Sequence, residues 1–426
     1  KEFSDRENAH LYCSKNMAIA KVLVTLSVRS YAIEICHKIL KKALHFELTD
    51  YVIDTCFILR SHYAVREGNI KKFDYYNQLL KDHLSARIAE ILAGELYLKI
   101  LIPHIKKKFV KKETHEQAVD AFQQLKPYLD RSGSPYLHYI ALYIESLTYS
   151  TINDYLNTIE VCKKAVYFFE QKNYNYNTAI KAFLHQQILC YTQLKMYKEG
   201  KSVIEKNLAI LHPGSYNWYV SMDLHLILAI HSQEYQEAYY AFNKAINHKK
   251  FKQLNDRTKE KWVILESYLQ FLAYVEKITP IPADNRFRKF KMGKFLNSVP
   301  TFSKDKRGMN IPILIIHIVF MIVKKDYDGA INRIGAIEKY CTRYVRRDEN
   351  FRSNCFIKML LQIPISSFHK AGITRKSKKY LEQLQSEPLE VSRQANEIEI
   401  IPYEDLWEMI LEALDHSFYL SKKEGR

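Results

Sequence analysis

Four short segments recur along the chain with the same internal spacing. They open at Tyr155, Tyr197, Tyr235 and Tyr327. Three positions after each tyrosine stands Thr158, Gly200, Ala238 or Ala330, and four positions further stands Cys162, Ile204, Phe242 or Ile334. Three positions later again come Ala165, Asn207, Ala245 and Ile337. Steps of three and four place all of these residues on one face of an α-helix. A helix whose inner face carries small residues at fixed points must pack closely against a neighbour. The tyrosines lie 42, 38 and 92 residues apart, so the unit that repeats is a hairpin of two helices. Glycine and proline number only 11 each in 426 residues, too few for a many-stranded β architecture and enough for helices joined by short polar turns.

Tyr235, Ala238, Phe242 and Ala245, together with the pair Tyr191 and Tyr197, resemble the tetratricopeptide repeat. In that family an aromatic opens the second helix of a hairpin, and a small residue lets the two helices approach. The resemblance covers roughly residues 135 to 345. The first-helix tryptophan and glycine are absent, the terminal proline is missing or displaced to Pro213, and the spacing exceeds the family's roughly 34 residues. The expected fold is all-α, an α-solenoid of such hairpins with an irregular C-terminal helical region. Its expected parts are helical hairpins over 1–134, repeats over 135–280, a basic loop with the last hairpin and further helices over 281–380, and an acidic helical cap over 381–426. Repeats of this kind stack into a continuous core with a concave inner surface.

The 92-residue gap holds the stretch from Asn285 to Val323. Its first half is basic and loop-like, and its second half is the most apolar run of the chain. Thr279-Pro280-Ile281-Pro282 is expected to end the helix that begins near Trp262. Asn310 and Pro312 then mark a helix entry. The net charge of +17 is unevenly spread. Residues 281–380 carry 22 Lys/Arg against 7 Asp/Glu, and residues 381–426 carry 4 against 11. Arg286, Arg288, Lys289, Lys291, Lys294, Lys304, Lys306 and Arg307 alternate with Phe287, Phe290, Phe295 and Phe302. Such a pattern suits phosphates and unpaired bases. It equally suits a long loop anchored by phenylalanines, its charges meeting water or the acidic end of the chain, with Glu399, Glu404 and Asp405 as internal partners.

Lys294 to Asn297, Phe302 to Pro312 and Ile400 to Trp407 also look like the C-terminal region of a group of tetratricopeptide proteins from Bacteroidota. This resemblance implies an intracellular bacterial protein and no particular activity. The seven cysteines are odd in number and none forms a CxxC pair, which points to free thiols in a reducing cytoplasm. No HExxH, Walker or GxSxG spacing occurs, so neither a metal, a cofactor nor a catalytic role is expected. Ile311 to Val323 is too short to span a bilayer. The sequence therefore predicts a cytoplasmic, non-enzymatic scaffold or adaptor for a protein or peptide partner. A nucleic-acid-associated protein using the basic third is the alternative, and a peptide-sensing regulator a third reading.

Overall fold

A computed structural model describes residues 5–105, 111–288, 310–344, 351–387, 389 and 399–419. The fold is all-α and built of helical hairpins, with no strand among the described residues. The chain divides into two compact units, Lys1–Gln187 and Ile188–Arg426.

The first unit is built from α1 (Asp5–Thr25), α2 (Arg29–His45), α3 (Thr49–Val65), α4 (Ile70–Ile105), α5 (Lys111–Leu129), α6 (Pro135–Ser150), α7 (Tyr155–Glu170) and the start of α8 (Asn177–Gln193). Cys13, Ile39, Val52, Leu59 and Leu80 form one core between α1 and the first part of α4. Ala93, Ala118, Leu125, Leu137 and Ile144 form a second between the end of α4, α5 and α6. The 36-residue α4 thus serves two layers in turn.

The second unit continues with α9 (Tyr197–Ala209), α10 (Tyr216–His231), α11 (Tyr235–Ile246), a 3₁₀ turn at Phe251–Gln253, α12 (Asp256–Tyr274) and the short α13 (Asn285–Arg288). Then follow α14 (Asn310–Val323), α15 (Tyr327–Tyr344), α16 (Phe351–Ile365), α17 (Lys370–Ser386) and α18 (Tyr403–Ala413). Its core runs from Trp218 and Phe242 through Trp262, Phe271 and Phe320 to Phe356 and Trp407. The apolar half of the 285–323 stretch is α14. It packs between α12, α15 and α18.

Each of the four recurring tyrosines is the first residue of a helix: α7, α9, α11 and α15. The small positions are buried as their spacing requires, with Thr158, Ala238 and Ala330 at zero exposure. Gly200 shows why size matters there. A Cβ on it would lie 2.6 Å from Leu228 Cδ2 of α10 and 3.1 Å from Tyr191 Cβ of α8.

The turns explain how so many helices are joined with so little glycine. Ser27, Glu47, Asn153, Lys195, Gln233, Glu276, Lys325 and Ser367 all adopt φ between 48° and 63°. After each, the next amide donates to the carbonyl five residues back, as in Leu48 N to Ala43 O at 2.8 Å and Glu234 N to Ala229 O at 2.8 Å. This is the Schellman closure of a helix C-terminus, ordinarily built on glycine. Asp154, Ser134, Ser215 and Asn255 then cap following helices by accepting from the backbone amide three residues on, each contributing about 1 kcal/mol.

One local expectation changes. Helix α12 stops at Tyr274, where Glu276 takes the left-handed conformation, several residues before Pro280. The turn, not the proline pair, ends it. Ile400 and Ile401 are buried in the core of the second unit.

Candidate functional site

The root of the basic stretch is held by one face of α11. Gln236, Tyr239 and Asn243 lie three and four residues apart and so point the same way. Gln236 exchanges two bonds with Thr279, donating to its carbonyl at 3.2 Å and accepting from its amide at 2.9 Å. The Tyr239 hydroxyl accepts from the Ile281 amide at 3.0 Å and donates to Asp284 Oδ2 at 3.0 Å. Arg286 donates through Nη2 to Asn243 Oδ1 at 2.8 Å and through Nε to Asp284 Oδ1 at 3.2 Å. Gln270 of α12 donates to the Arg286 carbonyl at 3.1 Å. Phe287 meets the Tyr239 ring edge-on at 4.9 Å. Burial alone would raise the Asp284 carboxyl, but hydrogen bonds from Arg286 and Tyr239 hold it below its ordinary value.

Arg286 is therefore engaged within the chain. Phe287 packs against the core of the second unit. The backbone of Arg288 ends α13, while Lys289, Lys291, Lys294, Lys304, Lys306 and Arg307 lie outside the described residues, as do Phe290, Phe295 and Phe302.

The acidic end of the chain meets the basic block at Arg352, the second residue of α16. All five guanidinium N–H groups have acceptors. Nε and Nη2 reach Glu399 at 2.7 and 3.1 Å, and Nη2 also reaches Glu404 at 2.7 Å. Nη1 donates to the carbonyls of Leu384 and Glu387 at 2.9 and 2.7 Å. Burial pushes the Glu399 carboxyl up while Arg352 pulls it down, and the two carboxylates hold Arg352 charged. Around this centre, His231 donates to the Glu399 carbonyl at 2.8 Å, Gln233 donates to Asp405 Oδ1 at 3.1 Å, and Lys325 pairs with Asp415 at 2.8 Å. The three acidic residues picked from sequence are internal partners, Glu399 and Glu404 of Arg352 and Asp405 of Gln233.

A third feature was not visible in the sequence. In the first unit a cleft of about 430 Å³ opens between the start of α1 and the connection into α8. Arg6, Glu7, His10 and Leu11 line one wall, and Asn175, Tyr176, Thr178 and Ala179 the other. Beneath it, the Glu47 carboxylate accepts from Lys172 Nζ at 2.9 Å, Tyr174 at 3.2 Å and Tyr176 at 2.7 Å. Burial and that carboxylate together push the Tyr174 phenol well above its usual range. Lys172 also donates to the Gly133 carbonyl at 2.9 Å. The three bonds to Glu47 join residues 125 to 129 positions apart and tie the connection into α8, which supplies one wall of the cleft, to the turn between α2 and α3. The Tyr174-Asn175-Tyr176-Asn177 run is the one local hint, since alternating amides and phenols suit a polar wall.

Comparison with protein-family models finds none that matches the chain, and comparison with curated proteins finds no match. Among the described residues, no three His, Cys, Asp or Glu side chains converge as a metal site requires, and no helix is long and apolar enough to cross a membrane.

Proposed function

We propose that this chain is a non-enzymatic helical-repeat scaffold that binds a protein or peptide segment, with the first-unit cleft as a recognition site. The observation that carries the reading is the braced cleft itself. Its walls combine Leu11 and Ala179 with donors and acceptors from Arg6, His10, Asn175 and Thr178, the mixture that orients a peptide rather than a purely apolar ligand. The hairpins around Tyr197 and Tyr235 fit a degenerate tetratricopeptide-like array. A cytoplasmic setting belongs to the same proposal, supported by Cys13, Cys36, Cys56, Cys190 and Cys355, which are buried and form no disulfide.

The test is to pan a displayed peptide library against the chain and against a Leu11→Arg, Thr178→Arg variant, which fills the cleft from both exposed walls. An enriched peptide family that binds the parent and not the variant is the expected result. A family that binds both equally, or no enrichment at all, sinks the reading.

The nucleic-acid alternative keeps the charge of residues 281–380 as its support. Arg286 and Arg352 are both engaged within the chain, so within the basic stretch its weight falls on Lys289, Lys291, Lys294, Lys304, Lys306 and Arg307, which lie outside the described residues. Binding that weakens steeply with salt, and is lost on charge reversal at Lys289 and Arg307 but not at Arg286, would favour it.

A further inference from the structure

Helix α4 is buried on one side and carries a continuous apolar seam on the other. Leu84, Ile88, Ile91, Leu98 and Ile102 are 42%, 62%, 59%, 54% and 50% exposed. With Glu95 they follow the alternation of four and three residues that defines a coiled-coil seam. The opposite face, through Ala89, Ala93, Leu96 and Ile100, is already packed in the first unit. The five open side chains present roughly 500 Å² of apolar surface, at the size where a patch on a monomer marks an interaction site.

The seam is symmetric about Ala93. Run antiparallel to itself in one register, it sets Leu84 against Ile102, Ile88 against Leu98 and Ile91 against Glu95, and every seam position finds its layer. Such self-complementarity is what a two-fold interface between identical chains demands, and a foreign helix has no need of it. Two such faces together remove roughly 1,000 Å² from water, the threshold of a stable protein interface.

Charge fixes the direction. Glu95 is 55% exposed and pairs with Lys99 of its own helix at 2.6 Å. A parallel pair would place two Glu95 carboxylates in one layer. The antiparallel pair separates them, each beside Ile91 of the other copy with its own Lys99 at hand. We infer that the exposed seam of α4 is a homodimer interface formed by antiparallel pairing with a second copy of this chain. The inference is independent of the cleft.

Sedimentation equilibrium of the full chain from about 1 to 100 μM tests it. The parent should reach twice the chain mass within that range. Ile91→Glu sets a second carboxylate against Glu95 of the other copy in two layers of the interface and should weaken association by roughly a hundredfold or more. Circular dichroism should remain unchanged, because Ile91 is 59% exposed. Direction is read by cross-linking with a short bis-maleimide against the parental background. Ile88→Cys with Leu98→Cys should cross-link between chains. Ile88→Cys alone should not, because the two copies of residue 88 would lie about 15 Å apart along the axis. A parent that stays monomeric throughout, including one that pairs only with a foreign helical protein, overturns the inference. So does a dimer that Ile91→Glu leaves intact, or cross-linking by the single variant in place of the double one.

Discussion

Replacing Arg352 with methionine should release the acidic end of the chain. The side chain is 12% exposed and its main partner Glu399 is 5% exposed. Methionine keeps much of the buried volume but removes five hydrogen bonds. Two carbonyls lose a donor, and the buried Glu399 carboxylate loses the Arg352 guanidinium while it keeps the Tyr403 amide. Breaking a buried ion pair from one side destabilises by roughly 3–5 kcal/mol. Glu404 is 29% exposed and can turn to water, so most of the loss belongs to Glu399. Urea denaturation followed by tryptophan fluorescence measures it selectively. The three tryptophans, Trp218, Trp262 and Trp407, all lie in the second unit. The control is Arg352→Met with Glu399→Met, which exchanges the pair for apolar side chains and should recover most of the lost stability. A single variant that loses less than about 1 kcal/mol would refute the reasoning. So would a double variant no more stable than the single, because the penalty would then not come from a stranded carboxylate.

Gly200→Ala should destabilise the second unit by roughly 1–3 kcal/mol through overpacking against Leu228 and Tyr191; an unchanged urea midpoint would mean that α9 stands further from its neighbours. Glu47→Gln should widen the cleft by weakening the bonds from Lys172, Tyr174 and Tyr176, seen as faster amide hydrogen exchange over residues 172–176. His317 is 4% exposed, has no hydrogen-bond partner at Nδ1, and is pushed down from 6.5 to about 4 by burial and the nearby Arg333. The unfolded chain takes up this proton below pH 6.5 while the folded chain resists it, so this contribution is whole above pH 6.5 and is lost as pH falls towards 4. Its full extent is on the order of 3 kcal/mol, and His317→Leu should flatten the stability profile across that window.

Much of this architecture could be read from residue spacing, for a physical reason. Steps of three and four around Tyr235, Ala238, Phe242 and Ala245 fix which side of a helix is buried, and a buried side fixes a neighbour. The same rule located α14 and the hairpin it opens. The turns were harder, because the usual marker of a left-handed helix end is glycine, and here Lys195, Gln233 and Lys325 take that conformation. Site geometry was harder still. Arg286 belongs to a dense run of cations, and only the positions of Asp284 and Asn243 turn it inward. Glu47 and Tyr176 are 129 residues apart, so no local window connects them. The seam of α4 lies in plain view as a heptad, but a heptad on a helix already packed on one face becomes meaningful only once exposure is known.

The left-handed turns have a consequence for how the molecule is held shut. A side chain in that conformation costs about 1–2 kcal/mol relative to glycine, yet three of these positions grip distant parts of their own unit. Glu47 holds the approach to α8, Gln233 holds Asp405, and Lys325 holds Asp415. Glycine would relax each bend and leave nothing to reach across. At these three positions the bend is also a handle, so a mutation that makes one of them easier should also loosen the segment that it grips.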